Sequence, residues 1–190
     1  MIIRFSILML AFVISSEYAI KAPFQSNSQI SYLGRHPAHN WTGISSDFKG
    51  GIICADLNDC VIKIQIPIES FHSGNASRDS NMLYYVESHK YRYVTFYSDS
   101  FEIDVDILSA GQSMKLSGNI DFHGVKKNIL FNTSIYKQGD FLKGEAEFDI
   151  YLSHHNVDRP ALLFAPISDQ ISIKCDLYCL IDEFRGSIGK

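Results

Sequence analysis

Apolar residues recur at every second position along most of this chain, and turn residues interrupt them at short intervals. Ile62, Ile64, Ile66 and Ile68 alternate with Val61, Lys63, Gln65 and Pro67. A period of two places one set on one face of a strand, so this stretch reads as half-buried strand. Pro67 falls at its end, where a lost donor is tolerated. Ile30 and Tyr32 share a parity before Gly34. Tyr93 to Asp104, Ser113 to His123, Val125 to Tyr136, Phe141 to Tyr151 and Gln170 to Leu180 read as further strands. His123-Gly124 makes a tight hairpin between two of them, and Gln138-Gly139-Asp140 turns into another. Trp41 to Cys54 reads as one long strand, bent at Gly43, Gly50 and Gly51.

One segment departs from the rhythm. After the turn at Gly74-Asn75, Ala76 to Tyr85 reads as a short helix with Met82 and Leu83 as its apolar contacts. The count is eight strands, mostly hairpin-linked, with one inserted helix. The aromatic load, 13 Phe, 10 Tyr and 1 Trp, agrees with strands. Eight antiparallel strands in one domain point to a closed barrel, since closure removes exposed edges. The interior of such a barrel is either filled by side chains or holds one small ligand. Periodicity does not choose between these, nor does it exclude a sandwich.

The N-terminus reads separately. Arg4 precedes an apolar run from Phe5 to Ile14 interrupted only by Ser6, and small residues follow at Ser15, Ser16 and Ala19. This is the pattern of a secretory signal peptide over residues 1–19, leaving a barrel domain over 20–190. The run is too short to cross a bilayer core of roughly 30 Å, so no transmembrane anchor is expected. The expected location is periplasmic or secreted. Cys54 and Cys60 flank a polar turn, at the feet of one hairpin. An oxidising compartment permits a bond between them, and a Cys54–Cys60 disulfide is expected. Cys175 and Cys179 lie about 13 Å apart along a strand at about 3.3 Å per residue, too far to bridge each other, and read as small core residues. The net charge is −4 and no basic run exceeds Lys126-Lys127, which argues against nucleic acid or an anionic membrane as partner.

Catalytic signals are thin. No Gly-x-Ser-x-Gly elbow exists, and no cysteine is tied to a histidine pattern. His36-x-x-His39 and His154-His155 are the close histidine groupings, and neither has the spacing of a zinc site. The expectation is no enzyme, no metal and no cofactor, with a His-dependent metal enzyme as the weakest alternative.

Three stretches carry a resemblance. The first is His36-x4-Trp41 followed by Gly43-x4-Phe48-x-Gly50. The second runs from Ser70 through Gly74-Asn75, Arg78-Asp79 and Lys90-Tyr91 to Thr95-Phe96-x-Ser98. The third is Leu116-x-Gly118-x-Ile120-x-Phe122-x-Gly124-Val125-x-Lys127. In this order they resemble the YceI-like family, the lipocalin-like polyisoprenoid-binding proteins. Departures fall in loops and at the rim: Asn81 and Met82 replace a His-Leu, and Arg92 and Asn128 replace prolines. The resemblance implies an all-β, eight-stranded, lipocalin-like barrel with an elongated apolar interior. It implies a bound isoprenoid-like chain, a polyprenyl lipid or quinone tail, and no family-wide reaction. The alternative is a filled barrel with a structural or interaction role.

If a cavity exists, one parity of each strand lines it. The chosen parity is Ile62, Ile64 and Ile66; Val94 and Phe96; Leu116, Ile120 and Phe122; Ile129 and Phe131; Phe148 and Ile150; Ile171 and Ile173. Strand pairing decides whether this parity or the opposite one faces inward. Trp41, Arg78 and Asp79 are assigned to a polar rim, and Met82 and Leu83 to a lid. The bland reading of Arg78 and Asp79 is a local fixing of the loop.

Overall fold

The two-residue rhythm folds as strands. A computed structural model describes residues 20–104, 110–162 and 164–185. The expected leader, residues 1–19, lies outside the described residues. In chain order the elements are β1 (Ile20–Pro23), β2 (Gln29–His36), β3 (His39–Ser45), β4 (Lys49–Asp56), β5 (Asp59–Pro67), α1 (Ala76–Tyr85) and β6 (Tyr93–Ser98). They continue with β7 (Gln112–Phe122), β8 (Val125–Gln138), β9 (Phe141–Tyr151), β10 (Ala161–Leu162), β11 (Ala165–Pro166), β12 (Gln170–Leu180) and α2 (Asp182–Arg185). Ten strands form one antiparallel sheet in the order β1-β4-β5-β6-β7-β8-β9-β12-β2-β3, and β10 with β11 makes a separate two-stranded ribbon. The sheet curls into a half-barrel with its apolar face inside.

Ten strands replace the expected eight for two local reasons. The stretch read as one strand, Trp41 to Cys54, breaks at residues 46–48 into β3 and β4. The four residues of β1 then add to the edge of β4, with Ala22 opposite Ile52. Gly51 permits this contact, since a Cβ there would lie 2.4 Å from the Ala22 carbonyl oxygen. The expected strand from Tyr93 also ends early, at Ser98.

Helix α1 occupies the expected residues. Asn75 caps it, its side chain accepting from the backbone N–H of Arg78 at 3.0 Å. β7 and β8 pair along their whole shared length, from Gln112 opposite Ile135 to Phe122 opposite Val125. β8 and β9 pair only from Thr133 opposite Ala146 to Gln138 opposite Phe141. Beyond that point the two strands diverge, and Phe131 stacks on Phe148 across the gap at 4.5 Å.

Cys54 and Cys60 face each other across the β4–β5 turn, Cα atoms 4.0 Å apart, joined as a disulfide. Cys175 and Cys179 are free and buried. Burial pushes both thiols up to about 12, so neither is a thiolate at neutral pH. A thiol reagent at pH 8 should find no reactive group in the native protein and two after denaturation. Four after denaturation would reject the Cys54–Cys60 bond.

Candidate ligand cavity

The inward side chains do not meet at the centre. They enclose a cavity of about 580 Å³, a size that suits a small apolar ligand. Its wall follows strand parity. Ile62, Ile64 and Ile66 of β5 line it, with Val94 and Phe96 of β6 and Leu116, Ile120 and Phe122 of β7. Phe131 of β8, Phe148 and Ile150 of β9, and Ile171 and Ile173 of β12 line it too. On β12 the same parity continues through Cys175 and Leu177 to Cys179. From Ile171 to Cys179 the strand rises roughly 26 Å at about 3.3 Å per residue. The space is therefore long and apolar, and the interior is not a filled core.

Three residues assigned to the site lie off this wall. Ile129 shares the inward parity and packs in the core with Ile120 and Phe122. It sits on the divergent part of β8, where pairing with β9 has stopped. Asp79 and Leu83 miss the wall through helical periodicity. The face of α1 that meets the cavity carries Arg78, Met82 and Tyr85, spaced as a 3.6-residue period requires. Asp79 and Leu83 lie one position further round. The Asp79 carboxylate accepts from the Ser73 backbone N–H at 3.0 Å and from the Ser73 hydroxyl at 2.5 Å. It fixes the loop before the helix, as the bland reading held. Leu83 packs with the Ile68 and Val86 cluster.

Several wall residues lay outside the assigned set. Ile30 and Tyr32 of β2 line the cavity, as do Phe71, Ile135 and Leu142. Parity identifies Ile30 and Tyr32 as a pair. Phe71 carries no signal, because it lies between β5 and α1, where no periodicity applies.

The mouth is more polar than the wall. Trp41 lies flat over Gly34, where a Cβ would come within 2.4 Å of its ring. The Arg78 guanidinium sits over the indole at 5.6 Å, a cation–π contact that holds both at the rim. His36 borders the same opening, with Nδ1 accepting from the Ala38 N–H at 3.1 Å and Nε2 meeting the Ala165 carbonyl at 3.2 Å. The Tyr32 hydroxyl is buried at the wall beside the Trp41 indole. Burial raises its pKa, opposed by the neighbouring Trp41 N–H.

A second anchored corner stands beside the mouth. His123 bonds Glu87 through Nε2 at 3.0 Å and the His155 carbonyl through Nδ1 at 2.9 Å. His155 is buried, and its Nδ1 lies 3.2 Å and 3.1 Å from the carbonyls of Phe122 and Val125. Burial holds its pKa below the usual histidine value. These contacts tie the end of α1, the β7–β8 hairpin and the segment after β9 together. Among the described residues, no three His, Cys, Asp or Glu side chains converge to hold a metal ion.

A curled antiparallel sheet around a long apolar cavity with a polar mouth is the architecture of a lipocalin-like barrel. The match to the YceI-like domain over residues 18–179 shows that the chain belongs to the YceI-like family. Solved structures agree in fold. BcnA of Burkholderia cenocepacia superposes with a TM-score of 0.68 at 16% identity, over 80% of this chain and 95% of that one. A polyisoprenoid binding domain from Saccharophagus degradans gives 0.67 at 13% identity, over 85% of this chain and 98% of that one. The Campylobacter jejuni YceI protein gives 0.59 at 20% identity, over 76% and 86%. No curated protein matches the sequence.

Proposed function

We propose that the protein is an exported carrier that holds a long isoprenoid-like chain, a polyprenyl lipid or a quinone tail, inside the half-barrel. The observation that carries this reading is the cavity itself, predominantly apolar along the run from Ile171 to Cys179, with its polar lining mostly at the mouth and Thr133 and Glu145 further in. Each CH₂ moved from water to such a wall contributes about 0.8 kcal/mol, so a long chain binds without polar contacts along its length. Tyr32, Trp41 and Arg78 then orient whatever polar end the chain carries. The resemblance of the fold to a polyisoprenoid binding domain supports the same reading. No side-chain set in the cavity calls for a reaction, and the reading is binding without catalysis.

Length dependence tests it. Delipidated protein titrated with prenyl alcohols of increasing length should bind each longer member more tightly until the cavity is full. Roughly a hundredfold or more per fully buried isoprene unit is the scale set by the transfer free energy. An affinity independent of chain length, or no binding at any length, would overturn the reading.

A further inference from the structure

The cavity is open at one end and blind at the other. Trp41 pairs with Gly34, and Leu33 pairs with Ser172, so the mouth lies level with Ile171. At the far end the lining is Ile52, Phe101, Met114, Ile135, Leu142 and Cys179. Behind it stands a packed layer of Cys54, Cys60, Ile103, Ile181 and Phe184, none more than 7% exposed and none lining the cavity. The Cys54–Cys60 bond ties β4 to β5 in this layer. Phe101 is held on it by two backbone hydrogen bonds with Cys60, both 2.9 Å. The polar atoms near this end are already used. The Cys179 thiol donates to the Ala22 carbonyl at 3.3 Å, and the Thr133 hydroxyl donates to the Glu145 carbonyl at 2.8 Å. A polar head has no partner at such a floor and stays out of it, so a chain enters tail first.

Length and volume give the same capacity. Barrel strands tilt by roughly 40° to the axis, so the run of roughly 26 Å from Ile171 to Cys179 is a depth of roughly 20 Å. An isoprene unit adds about 5 Å of extended chain, from its four chain bonds of about 1.5 Å. The depth therefore takes about four units. A methylene group is about the size of a water molecule, whose share of the liquid is about 30 Å³, so five carbons fill roughly 150 Å³. The cavity of about 580 Å³ again takes about four units.

We propose that the blind cavity measures chain length, burying about four isoprene units tail first against its floor. A chain of that length places its polar end at Tyr32, Trp41 and Arg78. A longer chain leaves its further units and its head outside the mouth. Leu142 and Gly144 set the limit. Leu142 forms the floor opposite Cys179. Gly144 lies one inward step above it, opposite Leu177, where a Cβ meets nothing within 4 Å. The inference rests on the carrier reading for the class of chain. The length limit does not, since a blind apolar space measures any extended apolar chain.

The test is titration of the delipidated protein with two series, prenyl alcohols of increasing unit number and straight-chain 1-alkanols. Prenyl-alcohol affinity should rise about a hundredfold per unit up to about four units, then change less than about threefold per unit. The alkanols should break at the same extended length, about 16 carbons. Gly144→Leu fills about one unit of the space above the floor, so its break should fall to about three units. Its affinity for the four-unit alcohol should drop about a hundredfold, while its affinity for the two-unit alcohol stays that of the wild type. An affinity that keeps climbing beyond about six units would overturn the proposal. So would a break that Gly144→Leu does not move, or a variant weakened equally at every length. The wild-type series decides by itself if the variant does not fold. Prenyl alcohols that bind ever more tightly with no break remove the length limit alone. Alkanols that show the break while no prenyl alcohol binds remove the carrier reading alone. No binding in either series would overturn both.

Discussion

Replacing Gly144 with Phe should weaken lipid binding about a hundredfold and leave the fold at least as stable as before. Gly144 lies on β9 among the cavity-lining residues, and a Cβ built on it meets nothing within 4 Å. Leu142 and Ala146, which share its parity, also face the cavity. A Phe side chain at this position therefore grows into the space the ligand occupies. Excluding about four CH₂ groups of a bound chain removes roughly 3 kcal/mol of transfer free energy, which is a loss of about a hundredfold in affinity for a long prenyl alcohol. Stability should not fall. A Gly in a strand interior has no side chain to pack and a large entropy to lose on folding, so its replacement gains about 0.5–1 kcal/mol. The measurements are prenyl-alcohol titration and thermal unfolding on the same preparation. Unchanged affinity would mean that the cavity is not where the ligand sits.

The opposite result is expected at Gly118, although both glycines lie in strands. Gly118 of β7 pairs with Ser98 of β6. A Cβ there would lie 2.6 Å from the Tyr97 carbonyl oxygen and 2.7 Å from the Ser98 Cα. Those are backbone atoms of a paired strand and have no rotamer to change. Gly118→Val should cost about 3 kcal/mol or more, at the upper end of overpacking effects. A domain of this size should lose about 6–12 °C in Tm. Gly144→Val is the control, the same chemical change where the neighbourhood is open, and should cost less than about 1 kcal/mol. Equal costs at the two positions would show that strand glycines matter here through backbone entropy and not through close approach.

These two glycines also show what the sequence can carry. Gly118 sits inside Leu116-x-Gly118-x-Ile120, one of the stretches behind the family resemblance, and its spacing hides the reason for it. The reason is the approach of β6, a long-range fact. Parity was legible because it is local: the two-residue repeat puts Ile62, Ile64 and Ile66 on one face, and strand pairing turns that face inward. The limits of α1 were legible because Asn75 caps it and Gly74 turns before it. The break between β3 and β4 was not, because the glycines in Trp41 to Cys54 fit a bent strand as well as a corner. Ile129 has the right parity and the wrong neighbour, since the divergence of β8 from β9 depends on pairing. Asp79 and Leu83 are displaced from the wall by one helical step, which no motif reports. Phe71 and the long cavity itself come from the curl of the sheet, a property of ten paired strands and of no single segment.

The central claim is that the half-barrel carries an isoprenoid-like chain. The most direct measurement is organic extraction of the protein purified from its native host, followed by a mass spectrum of the extract. The expected result is a near-stoichiometric lipid whose masses differ by whole isoprene units, present with the wild type and strongly depleted from Gly144→Phe. An extract with no such series, or the same series from both proteins, would contradict it.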